Sequence, residues 1–182
     1  MGAWSCHSWC VIDSHGDVRR AGPSDAATLA RLLHDFNTEF NTETDSQAVL
    51  EIRFARILTD DCALALLASH GPQDTGFALI TLRPAIWFDG PVATLDELYV
   101  VPDSRDQGIG TALLKRACDL LRERGCPEMH INVDEVDIDT RRFYERHGFM
   151  NIEPGADYRM LCYVGTTELP VIRPPGRPAK LE

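Results

Sequence analysis

No stretch of this sequence approaches the roughly 18 apolar residues of a membrane-spanning helix. No basic tract stands out that would neutralise a nucleic-acid backbone. Basic residues are in deficit, 18 Lys and Arg against 28 Asp and Glu, so the 182-residue chain carries a formal net charge of −10. The composition therefore argues against membrane and nucleic-acid partners. It suits solubility and, more weakly, attraction of cationic small molecules. The first ten residues, Met1 to Cys10, have neither a basic n-region nor a long apolar h-region, which argues against a signal peptide. The six cysteines are scattered, as expected of reduced thiols in a cytoplasmic protein. Cys6, His7 and Cys10 have no second ligand pair, so no metal site is expected.

What is present fits a globular domain: 44% hydrophobic and 25% charged residues, enough for a substantial core. Residues 1–16 read as an extension, 17–165 as the folded domain and 166–182 as a Pro-rich tail (Pro170, Pro174, Pro175, Pro178), with Leu181-Glu182 read as a scar. Val18 to Ala21 suits a first strand. Ser24 reads as the N-cap of a helix carrying Leu29, Leu32, Leu33 and Phe36, and Ser46 as the cap of a second helix. Cys62–Ala68 and Phe77–Leu82 are continuous apolar runs bounded by turn residues, hence paired strands. Another strand covers 92–101, a long helix 108–124 stopped by Gly125 and Pro127, a short strand 129–133, and a helix 139–147 ended by Gly148. Strands from Phe149 and over Tyr158–Val164 complete the order β-α-α-β-β-β-α-β-α-β-β. That is an α/β (α+β) domain with one mixed, mostly antiparallel sheet flanked by helices.

The most informative segment is Arg105-Asp106-Gln107-Gly108-Ile109-Gly110, between an apolar strand and an amphipathic helix. A Gly-rich loop opening a helix binds anions, because first-turn amides lack intrahelical partners and the macrodipole is positive there. The sequence has no Gly-x4-Gly-Lys-Ser/Thr phosphate loop. A dinucleotide fingerprint fails because Leu113 stands where the third glycine belongs. What remains is Arg/Gln-x-x-Gly-x-Gly/Ala after a strand.

With these residues, and with Arg141-Arg142-Phe143-Tyr144-Glu145-Arg146-His147-Gly148-Phe149 downstream, the sequence resembles the GNAT superfamily of acyl-CoA-dependent N-acyltransferases. The resemblance covers roughly residues 17–164 by element order and is sharpest over Leu95–Leu121 and Arg141–Phe149. It implies acetyl-CoA as co-substrate, held with its pyrophosphate on the backbone amides of Gln107, Gly108, Ile109, Gly110 and Thr111. Arg105 lines the same loop, with a structural role as the alternative. The backbone of Leu98 and Val100 would pair with the pantetheine arm as an added half-strand. The Leu98 amide would donate to the acyl oxygen as negative charge develops on it. The resemblance also allows a homodimer.

Acyl transfer needs a neutral amine, yet alkylamines titrate at about 10.4, so a base is required. Asp96 and Glu97 are adjacent carboxylates in an apolar strand. Alternation sends neighbouring side chains to opposite faces, while a bulge would change that parity. One of the two is expected to act through water as base and the other to hold a cationic acceptor. Capping an exposed edge or pairing with an arginine is the plainer reading of each. Tyr144 matches the family tyrosine that protonates the departing thiolate; its phenol, at about 10, is protonated at neutral pH. A packed core ring is the alternative.

The sequence departs from the family where an asparagine often precedes this tyrosine by seven residues. Asp137 stands there and cannot donate a hydrogen bond when ionised, which leaves Asn132 as a substitute. His34, His70, His130 and His147 read as surface or packing residues. Trp87 and Phe88 either line an acceptor pocket or close the core, and Glu39, Glu43 and Asp45 either meet a cationic acceptor or are solvated. The expected activity is acetyl transfer to a primary amine of a small, cationic acceptor. The alternatives are a protein or peptide N-acetyltransferase and a non-catalytic acyl-CoA-sensing module.

Overall fold

The two long apolar runs become central strands because both of their faces are covered. The structure, a computed structural model, describes residues 17–164. These fall in two compact units, the first ending at Asn132 and the second beginning at Val133.

The first unit holds β1 (Asp17–Arg20), α1 (Ala26–Glu39), α2 (Gln47–Ile57), β2 (Ala63–His70), β3 (Gln73–Arg83), β4 (Val92–Val100), α3 (Ile109–Glu123) and β5 (Glu128–Ile131). The sheet order is β1-β2-β3-β4-β5. The first three pairings are antiparallel and β4–β5 is parallel, as the mixed, mostly antiparallel expectation requires.

One face of the sheet carries Ala65, Leu67, Phe77, Leu79 and Tyr99, packed against Leu29 and Leu32 of α1 and Leu50 and Phe54 of α2. Leu29 and Leu32, with the partly buried Leu33 and Phe36, follow the i, i+3, i+4, i+7 spacing that puts them on one helical stripe. The opposite face receives α3, whose Ile109, Leu113, Leu114, Ala117 and Leu121 are buried. Gly76 of β3 marks that close approach, since a Cβ there would lie 3.3 Å from Leu113 Cδ1.

Ser46 occupies the N-cap position of α2 without a side-chain capping bond, and Ser24 does not cap α1. Pro23–Asp25 instead form a 3-10 turn, with the Gly22 amide donating to the Asp25 carboxylate at 2.9 Å. Asp25 also holds the Arg19 guanidinium at 2.9 Å, so the first turn of α1 is fastened to β1. Gly125 follows α3 at φ +68, the left-handed position that glycine fills without strain.

The second unit contains α4 (Ile138–Glu145), followed by Gly148 at φ +89. Here the expected order is corrected: among the described residues, 149–164 form neither strand nor helix. Their apolar pattern suits strands, but a strand exists only through its ladder. The two runs are joined by the Met160 amide donating to the Asn151 carbonyl at 2.8 Å, and one bond does not make a ladder. The leader with Cys6, His7 and Cys10 and the Pro-rich tail lie outside the described residues, as does the scar reading of Leu181-Glu182.

Candidate active site

The site residues predicted between positions 96 and 111 lie on one continuous path: second half of β4, a 3-10 turn at Pro102–Ser104, the Gly-rich loop and the start of α3. Along β4, Glu97 pairs with Leu79 of β3, and Leu95 pairs with the next residue, Ile80. Asp96 is therefore the extra residue of a β-bulge. The bulge decides the parity question. Glu97 shares the face of its ladder partner Leu79 and of Tyr99. The Thr81 side chain is also on that face by alternation, and its hydroxyl, together with the in-plane Thr81 amide, donates to the Asp96 carboxylate. Both acids thus lie on the face that α1 and α2 cover, whereas strict alternation would have separated them.

Their environments differ. Glu97 is half-buried and Asp96 exposed. Burial pushes the Glu97 carboxyl up to about 7, and the neighbouring Asp96 charge adds to the shift. The Asp96 carboxyl is raised by partial burial, opposed by the Thr81 hydrogen bonds.

The bulge also marks where the sheet opens. The β4–β5 ladder runs from Val92↔Glu128 to Leu95↔Ile131 and stops there. Beyond it, the β5-side edge of Glu97–Val100 has no neighbouring strand among the described residues, and Leu98 and Val100 lie on this open edge. The chain then turns into the Gly-rich loop, with Asp106 at φ +60 and Gly108 at φ +80, both left-handed. Gly108 is the N-cap of α3. The first bond of the helix runs from the Ala112 amide to the Gly108 carbonyl at 2.9 Å, so Ile109 and Gly110 precede it and their amides point out of the helix end. Ile109 is anchored by its buried side chain. A left-handed glycine ahead of two outward amides and the positive end of a 15-residue helix fits a pyrophosphate. The Gln107 side chain donates to the Asp103 carbonyl at 3.2 Å and braces the turn.

Arg105 is engaged within the chain. Its Nε donates to the Val100 carbonyl at 3.0 Å and a terminal nitrogen donates to Glu39 Oε2 at 2.7 Å. The Tyr99 hydroxyl donates to the same Oε2 at 3.1 Å. The Arg105 hydrogen bond holds the Glu39 carboxyl below the usual carboxylate range. Burial, with Glu39 alongside, pushes the Tyr99 phenol up to about 12. Glu39 thus stays exposed while one of its carboxylate oxygens ties Arg105 and Tyr99 together. Sequence reasoning missed Tyr99 and the partnership itself, because nothing local links residues 66 positions apart.

In the second unit, Tyr144 is buried, its ring centroid 5.1 Å from Phe143 and 6.1 Å from Phe149. His130 faces Glu128 at 2.6 Å, and His147 Nδ1 lies 2.7 Å from the Phe143 carbonyl, so both make local contacts. Trp87 is 85% exposed, which excludes core closure. With Ile86, Phe88, Gly90, Gly125 and Pro127 it rims an open depression of about 430 Å³ at the start of β4, the opposite end of that strand from the Gly-rich loop. Among the described residues, no helix is long and apolar enough to cross a membrane.

A model of the Acetyltransferase (GNAT) family matches residues 29–149, from the first helix past the Phe143-Tyr144 pair. The chain belongs to the GNAT acetyltransferases. As a GNAT protein it is an acyltransferase, and its relatives agree. Aminoglycoside N(6')-acetyltransferase type 1 of Klebsiella aerogenes is 30% identical over 119 residues, 64% of this chain and 78% of the relative. Thialysine N-epsilon-acetyltransferase of Bos taurus is 25% identical over 158 residues, 81% and 92%. A solved structure from Arthrobacter sp. FB24, described as a candidate acetyltransferase, is 47% identical with a TM-score of 0.77, covering 82% of this GNAT chain and 95% of its own.

Proposed function

We propose that this GNAT enzyme moves the acetyl group of acetyl-CoA to a primary amine of a small, cationic acceptor by direct attack in a ternary complex. One observation carries the reading: β4 parts from β5 at a bulge that supplies a raised carboxyl, and the open edge leads straight into a helix start whose first amides point out of the helix. Amides from Gln107 to Thr111 would hold the pyrophosphate, and Leu98 and Val100 would pair with the arm. Bound acetyl-CoA supplies an activated acyl carbon and a thiolate leaving group.

The Leu98 amide would stabilise charge developing on the acyl oxygen. Glu97 would take the ammonium proton through water, freeing the nitrogen lone pair. With its carboxyl near 7, it is poised to accept and to release a proton at neutral pH. As the N–C bond forms and the C–S bond breaks, Tyr144 would give its phenolic proton to the leaving thiolate, and the second proton shed by the acylated nitrogen would restore the phenol. Asp96 would attract the cationic end of the acceptor. The amine class is supported by the aminoglycoside and thialysine acceptors named for the relatives, and cationic character by the net charge of −10.

A thiol-release assay with acetyl-CoA across aminoglycosides, lysine analogues, polyamines and peptides tests the proposal. Release with the first three classes is expected. Release with peptides alone would move the acceptor to proteins, and tight acetyl-CoA binding with no release would leave an acyl-CoA-binding module.

A further inference from the structure

The Gly-rich loop holds two left-handed residues in a row of three, and one of them, Asp106, is not glycine. Such a backbone keeps its shape only where its surroundings determine it. Several of its ties are local: Ser104 amide to Val101 carbonyl, Arg105 amide to Pro102 carbonyl, Gln107 side chain to Asp103 carbonyl. The Arg105–Glu39 pair, in contrast, reaches the last residue of α1. The guanidinium carbon also lies 5.7 Å from the centroid of the Tyr99 ring. The end of α1, the end of β4 and the loop that opens α3 therefore meet at a single carboxylate oxygen, Glu39 Oε2.

We infer that Glu39 is a positioning residue for donor binding: it fastens Arg105, and through Arg105 the loop backbone, so that the amides opening α3 are held ready for a diphosphate. The inference rests on the coenzyme reading of this loop. It assigns anion recognition to backbone amides and leaves the one arginine of the loop as a strut, with its charge offset by Glu39 and its Nε on the strand it must stay beside. Both side chains are partly exposed, 39% for Arg105 and 27% for Glu39, so the pair adds little to global stability. Its effect is local and falls on the ligand.

The test is calorimetric titration of the full chain with coenzyme A, together with acetyl-CoA kinetics, for Glu39→Gln, Arg105→Met and the double variant. Glu39→Gln is expected to raise Kd for coenzyme A and KM for acetyl-CoA by roughly tenfold, the size of one lost charge-assisted hydrogen bond. Its kcat should stay within about twofold, because the carboxylate acts through Arg105 and not on the reacting atoms. The double variant should be no worse than Arg105→Met alone, since both changes break one link. Tighter binding by Glu39→Gln, as from a guanidinium freed to reach the phosphates, would overturn the inference, and so would additive losses. A parent chain that binds coenzyme A no better than Glu39→Gln overturns the positioning role alone. A parent chain that does not bind it at all overturns the donor reading as well. If Glu39→Gln fails to fold, the charge-preserving Glu39→Asp reads the same link, with a loss smaller than that of Arg105→Met.

Discussion

Glu97 lies directly across the ladder from Leu79, on the face where Leu79 joins Phe77 and Tyr99 in the apolar layer beneath α1 and α2. A carboxyl placed there loses part of its hydration, and its neighbour Asp96 adds a like charge. Those two causes raise it to about 7, while the bulge keeps it beside the open edge of β4.

The rate should report this group directly. If Glu97 must be ionised to accept a proton, kcat/KM rises with pH and levels off above a midpoint near 7. Glu97→Gln is expected to lower kcat by roughly 10²–10⁴ and to abolish that limb. Asp96→Asn removes the repelling charge and should move the midpoint to lower pH. Steady-state rates between pH 5.5 and 8.5 check both, and an unchanged profile in Glu97→Gln would remove the base role.

Stability should respond in the opposite sense. The folded carboxyl is raised above its ordinary value of 4.5, so between 4.5 and about 7 the native state binds more protons than the unfolded one. The contribution of Glu97 is complete below 4.5 and is lost as pH climbs to about 7. Glu97→Gln is exempt from that loss. Melting curves of the two proteins should separate in favour of the variant as pH rises through this window; curves that stay parallel would show that the group is not raised.

Gly108→Ala tests the helix start. At φ +80 an added Cβ costs roughly 1–2 kcal/mol of backbone strain and displaces the amides that follow. Coenzyme A affinity should fall by more than the loss of stability alone accounts for. Equal affinity in the two proteins would move the pyrophosphate elsewhere.

Gly90→Ala probes the opposite end of β4. A Cβ there would lie 1.9 Å from the Gly125 carbonyl oxygen, and neither partner is a flexible side chain. The β3–β4 loop and the α3–β5 turn must separate, at a cost of about 1–3 kcal/mol measured by thermal melting. The acetyl-CoA KM should change little, because the Gly-rich loop is at the far end of the strand.

Tyr144→Phe keeps the ring packing against Phe143 and Phe149 and removes only the hydroxyl. A strong fall in kcat with little change in acetyl-CoA affinity is expected. Undiminished turnover would assign Tyr144 to packing alone.

Local chemistry made most of the frame legible in the sequence. Leu29, Leu32 and Phe36 repeat with the helical period, Gly125 stops α3, and the Arg105–Gly110 motif sits where a strand passes into a helix. What stayed hidden depends on distant partners. The bulge at Asp96 exists only in register with Leu79 and Ile80 of β3, so the sequence left the two acids unresolved by face. The Arg105–Glu39 link joins residues 66 positions apart, and no spacing rule reaches that far. The apolar residues after Gly148 have strand-like composition, yet a strand also needs a neighbour to pair with.

Among the described residues, the parting of β4 and β5 leaves the far end of β4 without a strand partner on that side, the kind of edge along which extended chains add. Protein sheets commonly guard such edges with charge, because an approaching strand must then desolvate it. Asp96 and Glu97 stand at the fork itself. Neutralising both acids therefore takes charge from the start of that edge as well as from the acid chemistry, and sedimentation of the double variant beside the parent chain is the measurement that separates the two effects.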